Sequence, residues 1–402
     1  MTVFRALGWL MALALGIGVG LSSYAVSNET RAPRRTLAVG VPPSAVASGN
    51  LALQSLGARR ARVGSATVNA REIRMARRAY RSEPLAASAV ALQALSLTRN
   101  ADSERAQALL ELAGKLSRRS VLVNMSLVEA AAKRDDRRAF FAWLSRAMLT
   151  NSEASQAYGA AMATATAQDG AVEALTDVLG PKPRWADVYW ELVIRRPESL
   201  GNAARIRIAL AQKRWRQTEV QPTDEALVLG LAGIGKFNEA RQLAKALRPA
   251  EREKGNLLVN GSFAGDAALA PFDWRLAALG NLGASIDVRN GQLVVSAVGG
   301  ANGSAAQQLV QLVPGKYRLA WTMSSNAPMS ADAMKVRIFC AEPDVESPIG
   351  ILTPLLAGKR SKNIQIADRG CRWHWVSIDV ALPDDALGID AMISDLSLAP
   401  VS

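Results

Sequence analysis

The 402-residue chain contains one histidine, two cysteines and only 5% aromatic residues. A Ser-His-Asp triad would have to use His374, which falls on the predicted inner side of a strand, and no Gly-x-Ser-x-Gly elbow occurs. The two cysteines alone are too few ligands for a metal site. These scarcities predict a structural role for His374 and a protein that is not an enzyme.

Two further motifs lack the context that chemistry would require. The adjacent carboxylates Asp384 and Asp385 follow Pro383 in a predicted turn, where no pocket is indicated. The glycine-rich loop from Gly299 to Gly303 has no helix after it, so it offers no phosphate cradle.

The first 26 residues indicate export. Arg5 precedes an apolar run over 6–21, and Ser23 and Ala25 suit cleavage after Ala25, whereas the whole stretch 6–26 is long enough to cross a bilayer uncut. Arginines at 31, 34 and 35 on the exported side weaken a stable anchor by the positive-inside rule. A cleaved signal peptide and an inner-membrane anchor both remain open, and either predicts a periplasmic protein.

The predicted export determines the expected redox state of Cys340 and Cys371, the only cysteines. In an oxidising compartment the two are expected to pair, and closing the loop between them stabilises the fold by about 3–4 kcal/mol in the chain-entropy model. Two buried free thiols are the alternative.

Basic residues are concentrated before residue 255, with 37 Lys and Arg against 22 Asp and Glu, whereas the remainder has 11 and 13. The densest cluster is opposed by Glu72 alone and consists of Arg59, Arg60, Arg62, Arg71, Arg74, Arg77, Arg78 and Arg81. Such a surface attracts anionic lipid headgroups, an acidic polysaccharide or an acidic protein, unless it is simply solvated. Nucleic acid is not predicted, because no binding motif accompanies the charge.

Residues 27–65 lack a sustained hydrophobic period and contain Pro42 and Pro43, which predicts a linker. Residues 66–250 show helical spacing and divide into five helix pairs. Alanines that follow the predicted turns, at 106, 139, 171 and 240, are separated by 33, 32 and 69 residues, which indicates a repeat of about 34 residues.

This period and the last unit, EALVLGLAGIGKFNEARQLAKAL from Glu225 to Leu247, resemble the tetratricopeptide repeat family. In that unit a glycine, Phe237 and Ala240 occupy the expected places. The resemblance implies an α-solenoid that binds other proteins, which we expect to be envelope proteins. It assigns no individual binding residue.

From 255 to 402 the hydrophobic period falls to two, which predicts strands at 284–288, 292–298, 307–313, 317–323, 335–340, 373–382 and 389–398. Asn290-Gly291 predicts a tight hairpin turn between the first two strands. Many short strands separated by turns favour an antiparallel β-sandwich, specifically a jelly roll.

The segments NLLVNGSF, GQLVVSA, AAQQLVQLVPGKYRLAWTM, WHWVSIDVALP and ISDLSL, in this order, resemble the carbohydrate-binding jelly-roll modules attached to glycanases. That resemblance implies glycan binding and no cofactor other than a structural calcium. Asn260 and Asp395 match the places of calcium ligands in the family. However, Ala264 follows Phe263 where an acidic residue is usual, which puts the calcium in doubt.

Alternate side chains of a strand point to opposite faces, which allows the outward set to be predicted. Exposed aromatic rings beside amides and a cation suit sugar binding, because rings stack on pyranose faces while polar groups bind hydroxyls. The candidate sugar face contains Trp373, Trp375, Asp379, Arg337, Phe339, Gln307 and Gln311. If the helical repeats cover this face, Trp373 and Trp375 are packing residues instead.

The predicted fold is therefore a multidomain α + β chain with an N-terminal signal or anchor helix, an α-solenoid and a C-terminal β-sandwich. We predict an exported, non-catalytic scaffold that presents the sandwich to a polysaccharide, as an accessory in envelope or exopolysaccharide assembly. The alternative is a protein-protein adaptor in a membrane-associated complex that binds no sugar.

Overall fold

The computed structural model describes residues 2–401 except 41–43, 64–65, 98–102, 151–154, 213, 249–254, 268, 344 and 346–349. Helices occupy the first part of the described chain and strands occupy the remainder. The helices are α1 Thr2–Asn28, α2 Pro33–Val39, α3 Ala45–Val63, α4 Ala70–Ser82, α5 Ala87–Leu97, α6 Ser103–Leu116, α7 Val121–Lys133, α8 Arg137–Thr150, α9 Ser155–Ala165, α10 Ala171–Leu179, α11 Ala186–Val193, α12 Leu200–Ala211, α13 Pro222–Gly233 and α14 Phe237–Leu247.

The chain divides into two compact units. The first comprises Met1–Met162 with Lys182–Tyr189, and the second comprises Ala163–Pro181 with Trp190–Ser402. Helices α10 and α12 to α14 thus belong to the same unit as all of the strands. The boundary predicted between 66–250 and 255–402 falls largely at residues 249–254, outside the described residues.

Helix α1 is long and apolar enough to cross a membrane. Its stretch Gly8–Asn28 has a mean hydropathy of 1.7 and is almost entirely exposed. The helix continues past Ala25, which is buried, and the residues after it are tied to α3. Glu29 accepts hydrogen bonds from Ser44 Oγ through its carboxylate (3.0 Å) and from Asn50 Nδ2 through its backbone carbonyl (3.1 Å).

The linker predicted at 27–65 is wrong in its secondary structure, because this stretch contains α2 and α3. Two of its glycines, Gly49 and Gly57, are sites of close packing within a helix, which the sequence pattern does not distinguish from loop glycines. A Cβ on Gly57 would lie 2.8 Å from Leu122 Cδ2, and a Cβ on Gly49 would clash with Ser88 Oγ. Glycine at these positions allows α3 to approach α5 and α7.

The five predicted helix pairs correspond to α5 through α14. Helix α5 packs on α6, α7 on α8 and α13 on α14, whereas α10 packs on α12 and α12 on α14. Consecutive helices are therefore paired at the start and at the end of the series from α5 to α14. The pairing differs in between, in the same part of the chain where the spacing of the marker alanines rises from about 33 to 69 residues. Membership of the tetratricopeptide repeat family stays a prediction.

A buried ion pair holds α12 against α13. Arg207 donates to both carboxylate oxygens of Asp224, at 2.7 and 2.9 Å, and also to the backbone carbonyls of Gln217 and Glu219. Asp224 accepts a further hydrogen bond from the backbone nitrogen of Gln221, which caps α13. Both side chains are 2–3% exposed, so each charge depends on the other for compensation.

Ten strands form two five-stranded antiparallel sheets. They are β1 Arg275–Leu276, β2 Leu282–Asp287, β3 Gln292–Ala297, β4 Asn302–Gln311, β5 Gly315–Ser325, β6 Met334–Cys340, β7 Ile351–Pro354, β8 Gly358–Ile366, β9 Trp373–Ala381 and β10 Ile389–Pro400. Sheet A has the order β1-β4-β9-β6-β7, and sheet B has the order β2-β3-β10-β5-β8. The predicted fold class, a helical N-terminal half followed by an antiparallel sandwich, is confirmed.

All seven predicted strands are present, and β1, β7 and β8 were missed. Strand β8 lies at the edge of sheet B, where only Ile364 and Ile366 are buried, so it has almost no alternation to detect. Its exposed residues include Lys359, Arg360 and Lys362. Strand β1 has two residues, and β7 ends in Pro354.

The interior of the sandwich consists of alternate residues from both sheets. Val376, Ile378 and Val380 of β9 meet Leu319 and Trp321 of β5 in one core. Gly291 has a φ of +61°, which the tight β2–β3 turn requires at this position. The predicted Cys340–Cys371 disulfide is present, and it ties the end of β6 to the residues before β9.

His374 is buried in β9, between Val310 of β4 and Cys340 of β6 in register, and its Nδ1 has no hydrogen-bond partner in the described structure. Burial lowers the pKa of His374, and a hydrogen bond with the Arg372 backbone and the charge of Glu342 oppose this shift. The side chain is therefore enclosed in sheet A with one nitrogen unpartnered among the described residues, and its structural role stays a prediction.

Asp224→Asn is expected to destabilise the second unit by about 3–5 kcal/mol, because it leaves the buried Arg207 charge uncompensated. Urea unfolding followed by tryptophan fluorescence measures the loss. The matched control is Asp177→Asn, which removes the partner of Arg214 in an exposed pair (73% and 36% exposed) and should cost less than about 1 kcal/mol. Equal losses in the two variants would contradict the assigned role of the buried pair.

Sandwich stability is expected to fall as the pH is lowered from neutral through the ordinary histidine pKa of 6.5. Because the folded-state pKa of His374 is depressed, the unfolded chain binds a proton first, and stability is lost below 6.5. Urea midpoints measured above and below this pH should differ less in His374→Gln than in the native chain. An unchanged pH dependence in the variant would show that other groups cause it.

Candidate ligand-binding face

Strand register places all seven predicted sugar-face residues on the outer face of sheet A. Trp375 of β9 lies between Leu309 of β4 and Phe339 of β6. The adjacent rows are Gln307, Ser377 and Arg337 on one side, and Gln311 with Trp373 on the other. The predicted residues therefore lie side by side on one face. The half of the face around Trp373 and Gln311 and the half around Trp375 and Arg337 have different surroundings.

Trp373 lies beneath helix α14 and is only 4% exposed. Its ring centroid is 5.6 Å from that of Phe237 and 5.8 Å from that of Phe272, and the Arg241 guanidinium carbon lies 5.0 Å from it. Ala232 and Leu309 complete this buried cluster. Because its ring is enclosed, Trp373 is not available to stack on a sugar, and packing against the helices describes its role.

Gln311 belongs to the same covered half. Its side-chain oxygen accepts a hydrogen bond of 2.6 Å from Arg241 Nη1 of α14. A ligand would have to displace this hydrogen bond to reach Gln311. The covered half therefore fixes α14 to sheet A instead of offering a binding surface.

The open half begins at Trp375. This residue is half-buried, with one side against the covered cluster, and it is adjacent to the half-buried Phe339. The Arg337 guanidinium carbon lies 4.3 Å from the Phe339 ring centroid, a cation–π arrangement that holds the side chain over the face. Two aromatic rings and a cation thus share the accessible part of the sheet.

A hydrogen-bonded polar row lies beside these rings. Arg337 Nε donates to Asp379 Oδ2 at 2.5 Å, and Ser377 Oγ donates to the other oxygen of Asp379. Ser304 and Ser377 are joined by a 2.8 Å hydrogen bond between their hydroxyls. Arg337 Nη1 and Nη2 have no hydrogen-bond partner among the described residues, so they are available to a ligand. Gln307 is half-buried and lies opposite Ser377 in register.

Sequence reasoning missed Phe237 and Arg241, which cover the face, and did not include Ser304 in it. The amphipathic pattern of α14 predicts a buried side, but it cannot show which surface that side meets. Ser304 lies next to a bulge in β4, where the register shifts between Ser304 and Ala306. A bulge moves a side chain out of simple alternation, which hides it from a period-two pattern.

A polar cleft of about 360 Å³ lies where the α13–α14 turn meets sheet A. The charged residues that line it are Glu239, Glu342 and Arg372, and Glu342 Oε1 accepts backbone hydrogen bonds from Arg372 (3.0 Å) and Trp373 (3.2 Å). Glu342 thus holds the backbone that leads from the disulfide into β9. This structural role makes the cleft a weaker site than the open half.

The residue types at the two candidate calcium positions, Asn260 and Asp395, are explained by the backbone conformation there. Asn260 and Asp395 both have a φ of +52°, a left-handed conformation that Asn and Asp tolerate better than most residues. The Asn260 amide exchanges two hydrogen bonds with the backbone of Gly265. Among the described residues, no cluster of three or more His, Cys, Asp or Glu is placed to hold a metal ion. The backbone thus gives both residues a role that needs no metal.

No protein-family model matches the chain, and no curated protein resembles it in sequence. Solved structures similar to the chain include a CBM4 protein, with 16% identity over 36% of this chain and 99% of the other at a TM-score of 0.28. They also include TmCBM61 in complex with beta-1,4-galactotriose, with 15% identity over 36% of this chain and 99% of the other at a TM-score of 0.24. The sandwich assignment itself rests on the strand order given above.

Proposed function

We propose that this is an exported, non-catalytic protein, held in a membrane by α1, whose sandwich binds a glycan on the open half of the sheet A face. The observation that carries the proposal is the adjacency of Trp375 and Phe339 to the row formed by Arg337, Asp379 and Ser377. Aromatic rings pack on the apolar face of a pyranose, and fixed polar groups bind its hydroxyls.

The polar row is suited to sugar hydroxyls because it is held in place before a ligand arrives. Asp379 orients Arg337 through Nε, which leaves both Nη groups as donors, and Ser377 fixes the carboxylate. Side chains held in this way lose little conformational entropy on binding. The Asp379 carboxylate is 24% exposed, which leaves room for a hydroxyl to donate to it.

Membrane anchorage by α1 is supported by the packing at its end. Ala25 is buried, and Glu29 receives hydrogen bonds from Ser44 and Asn50 of the α3 region. A cut after Ala25 would separate these contacts from the apolar stretch. The Cys340–Cys371 disulfide supports an oxidising compartment, which we propose to be the periplasm. The pathway that fits best is envelope or exopolysaccharide assembly.

A second candidate function is that of a protein-protein adaptor without sugar binding. The observation that favours it is the enclosure of Trp373 by Phe237, Phe272 and Arg241. This contact attaches the last helices to the sandwich within the second unit, which suits a partner-binding scaffold. In this reading the helices bind other envelope proteins.

Glycan binding by the full chain in detergent is expected to weaken at least about tenfold in Arg337→Ala, because a charged hydrogen bond is worth about 1.5–3 kcal/mol. Trp375→Ala is expected to weaken binding as well, because it removes a ring that packs on the pyranose face. Isothermal titration with oligosaccharides selected on a glycan array measures the change. The matched control is Arg318→Ala, an exposed arginine of β5 in sheet B. Native-like unfolding midpoints exclude misfolding. If the native chain binds no glycan, or both variants bind normally, the adaptor function is favoured.

The exported protein is expected to retain residues 1–25, because α1 continues through the cleavage motif. Intact-mass measurement and N-terminal sequencing of the protein purified from membranes test this directly. A mature chain that begins at Val26 would contradict membrane anchorage without affecting the proposed glycan site.

A further inference from the structure

Helix α4 carries five arginines on one side. Four of them follow the spacing i, i+3, i+7 and i+10, and the fifth directly precedes the residue at i+7. All five arginines therefore lie within about a third of the helix circumference. All are exposed, whereas the opposite side buries Glu72, Ala76 and Ala79. We call this set the arginine stripe: Arg71, Arg74, Arg77, Arg78 and Arg81.

The charge of the arginine stripe is not neutralised within the described chain. Glu72 is 2% exposed and binds Arg59 of α3, with Nη2 to Oε2 at 2.6 Å and Nε to Oε1 at 3.2 Å. The same carboxylate caps α4 through the backbone nitrogen of Asn69. No stripe arginine has an ion-pair partner among the described residues. A structural network thus uses the one acidic residue in the helix and leaves five cations facing outward.

Packing links the last turn of α4 to the end of α1 through the start of α3. Ala79 of α4 shares a buried cluster with Ala45 in the first turn of α3. The start of α3 is also joined to Glu29, directly after α1, by the hydrogen bonds of Ser44, just before α3, and of Asn50 in its second turn. The last two turns of α4, which carry Arg77, Arg78 and Arg81, are thus linked to the end of the apolar helix through α3, with the arginines on the exposed side of α4.

Exposed aromatic and apolar side chains accompany the charges at this point. Tyr24 near the end of α1 is 41% exposed, Tyr80 in the last turn of α4 is 40% exposed, and Leu85 just beyond α4 is 72% exposed. Tyrosine is enriched where membrane-spanning helices leave the bilayer, and basic residues combined with apolar ones are typical of interfacial segments. This composition fits a membrane surface better than open solvent.

We propose that the arginine stripe rests on the surface of the membrane that α1 crosses and binds anionic phospholipid headgroups there. The inference rests on the membrane anchorage proposed above. Charges within a Debye length of an anionic surface are attracted to it, and the link through α3 keeps the end of α4 on the side of the bilayer where α1 ends. An acidic polymer or protein would match the charge, but neither explains why Tyr80 and Leu85 are exposed beside it.

The experiment uses the full chain reconstituted in lipid nanodiscs, so that α1 is in a bilayer whether or not it is cut in the cell. Ser82→Cys, on the stripe side of α4, takes a nitroxide label, and both native cysteines are protected in their disulfide. In discs with about 30% phosphatidylglycerol, collisions with a water-soluble nickel reagent should fall roughly twofold or more relative to discs of phosphatidylcholine alone. About 1 M salt should remove the difference.

The variant Arg77→Gln/Arg78→Gln/Arg81→Gln should lose the lipid dependence. A variant with the same charge loss elsewhere, Arg195→Gln/Arg205→Gln/Arg248→Gln, should keep it. A label at Lys133→Cys is the positional control: its ion-pair partner Glu129 binds Arg60 near the far end of α3, about 22 Å of helix from its first residue. Its accessibility should not respond to lipid charge.

Equal accessibility of residue 82 in neutral and anionic discs would overturn the proposal. Protection of the label by a soluble acidic polysaccharide, without any response to lipid charge, would overturn it in favour of the polymer. Glycan titration of Arg337→Ala and sequencing of the mature N-terminus are separate measurements. Failure of the proposed glycan site or anchor is therefore distinguishable from failure of this inference.

Discussion

The contact between Trp373 and helix α14 determines what the sandwich can do. A tryptophan side chain buries about 150–250 Å² of surface, which corresponds to an upper estimate of about 4–6 kcal/mol. Phe237 and Arg241 cover the ring, and Arg241 also binds Gln311. This contact removes half of the sheet A face from solvent, attaches the last helices to the sandwich and leaves the half around Trp375 and Arg337 accessible.

Alternation along the strands made the sandwich and its faces predictable. Val376, Ile378 and Val380 alternate with outward residues over a strand long enough for the period to be clear. In the other sheet, the hairpin turn at Gly291 identifies β2 and β3 as neighbours. The pairing of Cys340 with Cys371 followed from export. These features depend on residues that are close together in the chain or on the cysteine count, and both can be read from a single sequence.

The remaining features depend on which surfaces meet, and local patterns do not contain that information. Gly49 and Gly57 resemble loop residues until Ser88 and Leu122 are seen against them. The cover over Trp373 comes from a helix more than a hundred residues earlier, whose pattern shows only that one side is buried. All seven candidate residues thus lie on one face, as alternation predicted, but the sequence could not reveal that α14 covers Trp373 and Gln311.

The basic edge strand β8 has a consequence for the protein in a crowded membrane. Its outer side has backbone donors and acceptors that no strand of this chain pairs in the described structure, and such an edge can recruit a strand from a second molecule. If α1 confines many copies to one plane, their encounters become frequent. Lys359, Arg360 and Lys362 make two such edges repel each other, which opposes intermolecular sheet formation and keeps neighbouring sandwiches separate.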